Sequence, residues 1–273
     1  MNTTRQRHPK LIAVGDLHNQ NGALKELLPK LPKGVPLAFV GDLIHKGPSD
    51  ECAPVVAHIM ALCEEGQSIV VRGNHDATPG KGRYVEQEGS LSPEQAEWLK
   101  SRPLFVRLGG YLFMHGGIDA SVAGQLDGLI EAGHLPLEGD WDEAMVNTAV
   151  STLSSKNRKR LEKCMYVRFL DADSGKMAPF GAEGPYDPFW AATYDGRYGH
   201  VVFGHNPWGG GMGFAHASGI DSGAGWSDIP FDSPERVEGD FYPTGGRALM
   251  ALPLGTSMPL WDRRVWVNTQ NES

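Results

Sequence analysis

The sequence predicts a mixed α/β fold with a parallel half. In the first third of the chain, short apolar runs alternate with segments of helical period. Those runs end in glycine beside a polar residue, as strands do where they open onto a sheet edge. Two further apolar runs near the C-terminus, "GGRALMALPL" and "RRVWVNTQ", supply final strands.

"LIAVGD" is the first strand. "NGALKELLPKL" follows with Leu24, Leu27, Leu28 and Leu31 at helical spacing, and Pro32 lies just beyond. "PLAFVGD" is the second strand. "SDECAPVVAHIMALCEE" is the second helix, with Pro54 required in its first turn. "SIVVRGNHD" is the third strand, and the βαβαβ rhythm implies parallel pairing. In "SPEQAEWLKSRP", Ser92 is the N-cap, Pro93 opens the helix, and Gln95 completes a capping box. "LFVRLGGYLFMHGG" is a hairpin turning at Gly109 and Gly110. Residues 119–165 are helix-prone and form a cap or connecting segment, and residues 175–188 are loop. "YGHVVFGHN" is another strand. "WGGGMGFAHASG" and residues 223–243 are loop-like, because glycine breaks any apolar period.

The 273 residues, 40% of them hydrophobic, fit one large domain or two small ones. The run of motifs favours a single domain over 1–273. A net charge of −8 argues against a binder of nucleic-acid duplexes, since no basic field would steer phosphate backbones. It leaves small anionic substrates open, because bound divalent metals reverse the sign locally. The three cysteines, Cys52, Cys63 and Cys164, form no Cys-x-x-Cys pair and read as structural thiols in a reducing compartment. No apolar run approaches the roughly 20 residues a membrane span needs, and the polar N-terminus carries no signal peptide. A soluble cytoplasmic protein is the expectation.

Five strand ends share one grammar: "VGDLH" with Asp16 and His18, "VGDLIHKG" with Asp42, "RGNHD" with Asn74 and His75, "FMHGG" with His115, and "FGHN" with His205. Each delivers a carboxylate, amide or imidazole beside a glycine, which permits a tight exit and close backbone approach. A lone Gly-Asp is an ordinary turn, and a lone histidine is usually a packed one. The same pattern repeated in order is a ligand set for metals. These hard to borderline donors suit Mn, Fe, Zn, Ni or Co. Two ions about 3.5–4 Å apart clamp both oxygens of a phosphoryl transfer, and Asp42 is the candidate bridge.

The order GDxH, GDxxxxG, GNH[DE], HGG and GH resembles the calcineurin-like metallophosphoesterases. Within them it is similar to the branch of Ser/Thr protein phosphatases and symmetrical diadenosine tetraphosphate hydrolases. The resemblance is strongest from Leu11 to Gly117 and returns from Tyr166 to Leu252. It implies a four-layer α/β/β/α sandwich with mixed sheets. It implies one metal held by Asp16, His18 and Asp42, and a second by Asp42, Asn74, His115 and His205, with manganese the first choice. His75 matches the general acid, and a metal-held hydroxide would attack a phosphate ester or anhydride. The substrate would be a phosphorylated small molecule, a nucleotide or a phosphoprotein.

The chain departs from this branch at "DLIHKG". The branch carries Asp-Arg where His45 and Lys46 stand, the Asp orienting the catalytic histidine and the Arg gripping phosphate. Lys46 can still supply charge, as a point rather than a fork. His45 beside His75 disfavours double protonation, and Asp76 is a candidate to take over the orienting role. Arg168 sits in the stretch that resembles the family's second phosphate-binding arginine, with Arg197 as its competitor. Arg72 reads as a strand-end ion-pair partner, and Asp221 as a carboxylate behind a ligating histidine. His58, His134, His200 and His216 lie outside the motif grammar, and the aromatics of "YDPFWAATYDGRYG" read as packing. A second class of function is a metal-bound interaction module without turnover, suggested by the missing Asp-Arg pair.

Overall fold

The computed structural model describes residues 10–79, 91–226, 237–255 and 260–269. Its first sheet contains β1 (Leu11–Val14), β2 (Leu37–Phe39), β3 (Ser68–Val70), β10 (Ala248–Leu254) and β11 (Val265–Asn268), in the order β11-β10-β1-β2-β3. β1, β2 and β3 pair in parallel, with Ile12 opposite Leu37 and Leu37 opposite Ser68. β10 runs antiparallel to β1, with Leu11 opposite Leu254. The second sheet contains β4 (Phe105–Leu108), β5 (Tyr111–Met114), β6 (His200–Phe203), β7 (Gly210–Gly213), β8 (Ala217–Gly219) and β9 (Asp240–Pro243), in the order β4-β5-β6-β8-β7-β9. β5, β6 and β8 are parallel neighbours.

The period of two along each strand sorts the layers. On β1, Ile12 and Val14 face outward, where α1 (Asn21–Leu27), α2 (Cys52–Glu64) and α3 (Pro93–Ser101) bring Leu24, Leu27, Val55, Val56, Ile59 and Leu99. Leu11 and Ala13 face inward, against Phe113, Val202 and Ile220 of the second sheet and its loops. On β5, Leu112 and Met114 face a second outer core. α4 (Ala120–Glu131), α5 (Glu143–Ser151), α6 (Ser155–Leu161) and α7 (Trp190–Thr193) bring Val122, Leu126, Val146, Leu161 and Trp190 there. The result is helix, sheet, sheet, helix, the four-layer arrangement the resemblance implies. Each fully buried Val, Leu or Phe stabilises it by about 1.5–3 kcal/mol.

Local signals explain the ends. The capping box at α3 is formed in full, Ser92 Oγ accepting from Gln95 N at 3.1 Å and Gln95 Oε1 from Ser92 N at 3.0 Å. Gly109 and Gly110 turn the β4–β5 hairpin with φ of 60° and 87°. α1 is shorter than the apolar period predicts. Pro29 has no N–H for the next helical bond, so the chain tightens into a 3₁₀ turn over Leu28–Lys30.

The stretch expected to be loop, 208–219, instead contains β7 and β8, and β9 falls within 223–243. Part of that latter stretch, 227–236, lies outside the described residues. The glycines here are strand residues whose missing side chains admit rings. Gly211 receives the Trp261 ring, and Gly219 receives Trp208 and Phe203. Among the described residues no helix is long and apolar enough to cross a membrane.

Candidate metal centre

The carboxyl ends of β1, β2 and β3 in one sheet, and of β5 and β6 in the other, converge on a single cluster. Asp16, His18, Asp42 and His115 are all buried. Among the described residues, six outside glycine have positive φ, and all six lie here: His18, Asn19, Asp42, His45, Lys46 and His205. Such conformations cost of order 1–3 kcal/mol each and persist where the surroundings over-determine them. Here the surroundings are backbone clamps. His18 N and Leu17 N both donate to Asp42 O, and His205 N donates to Asp16 Oδ2 at 3.1 Å. His45 N donates to the buried Asn19 Oδ1 at 3.0 Å. Two glycines are obligatory, because a Cβ on Gly73 would meet Asp42 and one on Gly204 would meet Asp16 Oδ1.

Two groups of donor atoms share Asp42. Asp16, His18 and Asp42 each offer one ligand atom, all within 4.8 Å of one another. His18 Nε2 lies 3.7 Å from Asp42 Oδ2 and 3.9 Å from Asp16 Oδ2. On the other side, Asn74 Oδ1 lies 3.0 Å from His115 Nε2 and 2.9 Å from His205 Nδ1, while His115 Nε2 is 3.3 Å from Asp42 Oδ1. Backbone carbonyls fix the rings. His18 Nδ1 sits 3.1 Å from Ile44 O, and His115 Nδ1 2.9 Å from Val40 O. A carbonyl can only accept, so both histidines carry hydrogen on Nδ1 and turn Nε2 toward the cluster.

The electrostatics suit divalent cations. Burial, with Asp221 and Asp42 nearby, holds the Asp16 carboxyl well above its usual range. Burial also opposes charge on Asp42, but the imidazoles of His115 and His75 outweigh it and hold that carboxyl low. Burial pushes His18 and His205 well below the usual imidazole range. On His115 burial is outweighed by the Asp42 carboxylate, and the ring is raised. Asp16 Oδ1 is buried without a hydrogen-bond partner. Neutral imidazoles, crowded buried acids and an orphaned carboxylate oxygen are what a divalent ion satisfies.

Around this cluster, His75 Nδ1 lies 2.8 Å from His45 Nδ1, and His75 Nε2 lies 3.9 Å from Asp42 Oδ2. Burial lowers His75 to about 4, with Lys46 and His45 adding to the shift against Asp42. Lys46 Nζ stands 3.4 Å from His18 Nε2 and 4.0 Å over the Trp226 ring. Arg168 is close enough to depress His205, and its guanidinium lies 5.2 Å from the exposed Phe180 ring.

The remaining candidate residues have partners of their own. Asp76 does not stand behind His75. Its oxygens accept from Leu43 N and Gly73 N, both at 2.9 Å, and burial raises it to about 6. Arg197 is held at the surface by Asp127 at 3.3 Å. Arg72 donates to the Lys100 carbonyl rather than to an acid. Asp221 is buried beside Asp16 and accepts from Gly223 N at 2.9 Å. His58 pairs with Asn21 at 3.1 Å, away from the cluster. Sequence reasoning passed over Asn19 and Trp226. "GDLHN" held a signal for Asn19, since asparagine tolerates the left-handed region, but nothing marked Trp226.

The pattern described as "Calcineurin-like phosphoesterase" matches residues 9–228. The chain belongs to that family. This phosphoesterase is 33% identical over 118 residues to a symmetrical bis(5'-nucleosyl)-tetraphosphatase of Ralstonia nicotianae, a match covering 39% of this chain and 41% of that protein. The chain therefore spans less than half the length of that relative. It is 26% identical over 216 residues to an asymmetrical bis(5'-nucleosyl)-tetraphosphatase of Anoxybacillus flavithermus, covering 71% of this chain and 77% of that one. The solved structure of a proposed diadenosine tetraphosphatase superposes with a TM-score of 0.57 at 19% identity, over 100% of this chain and 97% of that one, a likeness of fold.

Proposed function

We propose that this phosphoesterase hydrolyses a nucleotide phosphoanhydride of the dinucleoside polyphosphate type, using two divalent ions, with manganese the first choice. One ion would be held by Asp16, His18 and Asp42, and the other by Asp42, Asn74, His115 and His205. The observation that carries the reading is the placement of Asp42, whose two carboxylate oxygens face the two donor groups separately. Bound there, the ions would supply an acidified water and take up charge on the phosphoryl oxygens. Lys46 and Arg168 hold equatorial oxygens, and Asn74 faces the same space. His75 gives a proton from Nε2 to the departing oxygen, while its Nδ1 is held by His45. The names of the two relatives support the substrate class, and the low count and wide spacing of Cys52, Cys63 and Cys164 support a reducing cytoplasm.

The test is a metal-reconstituted screen of p-nitrophenyl phosphate, its bis-ester, diadenosine tetraphosphate and a phosphopeptide, with bound metal counted by elemental analysis. Two ions per chain and fastest turnover of the dinucleotide are expected. Preference for the phosphopeptide would move the substrate class to phosphoproteins. Two ions with no hydrolysis of any ester would favour an interaction module, the reading suggested by His45 and Lys46.

A further inference from the structure

The loop after β8 reaches from the second sheet across to residues carried by the first. Asp221 lies beside Asp16. Gly225 packs so closely on His18 that a Cβ there would meet the ring. Trp226 then lays its ring 4.0 Å from Lys46 Nζ. Its backbone is pinned, with Trp226 N donating to Gly223 O at 3.2 Å and Arg247 Nη1 donating to Trp226 O at 2.7 Å.

Lys46 needs such a neighbour. A lysine has a flexible four-carbon stem and a point charge, without the planar fork that orients an arginine on phosphate. Its ammonium acts on Asp16, Asp221, His18, His75 and His205 alike. Left to the acids, it would be drawn into the donor cluster, and it already stands 3.4 Å from His18 Nε2. A divalent ion among those donors would repel it. The ring face of Trp226 offers a favourable cation site at the rim of the cluster, one that bears no formal charge.

We infer that Trp226 is a positioning residue, whose indole face holds the Lys46 ammonium where it can bind a phosphoryl oxygen. The inference rests on the hydrolase reading above, and it assigns Trp226 no contact with substrate. The Trp226–Lys46 pair does for this chain what a fork of donors does where an arginine stands.

The test is a double-mutant cycle on inorganic phosphate binding, measured by calorimetry on the manganese-loaded protein. Trp226→Leu should weaken phosphate binding about fivefold, the size of one part-exposed cation–π contact. Lys46→Met should weaken it about tenfold. The double variant should bind no worse than Lys46→Met, because Trp226 acts only through the ammonium. Trp226→Phe keeps a ring and should stay within about twofold of the parent. Manganese content should be equal throughout. Trp226→Met, which keeps apolar bulk, replaces Trp226→Leu should that variant not fold. Effects that multiply in the double variant, or a Trp226→Leu protein that binds phosphate like the parent, overturn the inference while hydrolysis by the parent stands. A parent that neither binds phosphate nor hydrolyses any ester overturns the reading beneath it as well.

Discussion

At His45 and His75, two Nδ1 atoms 2.8 Å apart share one hydrogen. One ring donates and the other accepts, so the pair cannot carry two charges in that geometry. An aspartate at 45 would accept the same bond and stabilise His75 in its charged form. His75 is therefore scarcely protonated near neutrality, consistent with its fall to about 4. Leaving groups that depart without a proton suffer least. His45→Asp should raise turnover of alkyl phosphate esters about tenfold relative to aryl esters. Equal gains on both, measured as kcat/KM ratios, would reject this account of His45. The role of these residues was legible only in part. "GNHD" identified His75, and the departure at "HK" identified the problem. Where Asp76 points was not legible, because its direction is set by the backbone N–H groups of two different loops.

At the scale of elements, strand ends are held in register by buried side chains, and two of these can be tested. Asp76 ties the loop after β2 to the loop after β3 through Leu43 N and Gly73 N. Asp76→Ala leaves two buried donors unpaired and should destabilise the fold by about 2–4 kcal/mol in urea titrations. Asp76→Asn keeps one acceptor and should lose about half of that. On β6, His200 Nε2 meets Ser218 Oγ of β8 at 2.8 Å, and burial lowers the ring to about 4. The folded protein thus holds His200 neutral, below its unfolded value of about 6.5. Stability from this group is full above pH 6.5. It falls as pH drops toward 4, because the unfolded chain takes up a proton that the folded one refuses. The loss should be about 2–3 kcal/mol between pH 7 and pH 4. His200→Gln should flatten that slope, and identical slopes would exclude it. Elements with apolar periods, β1 to β6, were legible in the sequence. β7 and β8 were not. "WGGGMG" has no period of its own, and its strand character comes from rings of Trp261, Trp208 and Phe203 laid on bare backbone. Such a signal exists only after folding.

Across the whole molecule, the donor cluster is also a joint. β1, β2 and β3 bring Asp16, His18, Asp42 and Asn74 from one sheet, and β5 and β6 bring His115 and His205 from the other. Between the sheets the packing is apolar, with Ala13, Val40, Phe113 and Val202. At the cluster it is acidic, and the chain already carries a net charge of −8. Without cations, Asp16 is held together with Asp42 and Asp221 at a cost that burial enlarges. Ions bound there would offset that cost and link the two sheets directly. Binding the folded chain and not the unfolded one, each would add about 2.7 kcal/mol at a hundredfold excess over its Kd. For a chain of this size, that corresponds to about 5–10 °C in Tm. Chelation should therefore lower the Tm by that amount for each ion removed, reversibly, with manganese restoring it. His115→Ala removes a donor from the second sheet while leaving Asp16, His18 and Asp42 in place. It should lose up to half of the manganese-dependent shift, because the ion that spans the sheets is then held from the second sheet by His205 alone. A His115→Ala protein with the full shift would show that His115 holds no metal, and that β5 is joined to the first sheet by its apolar face alone.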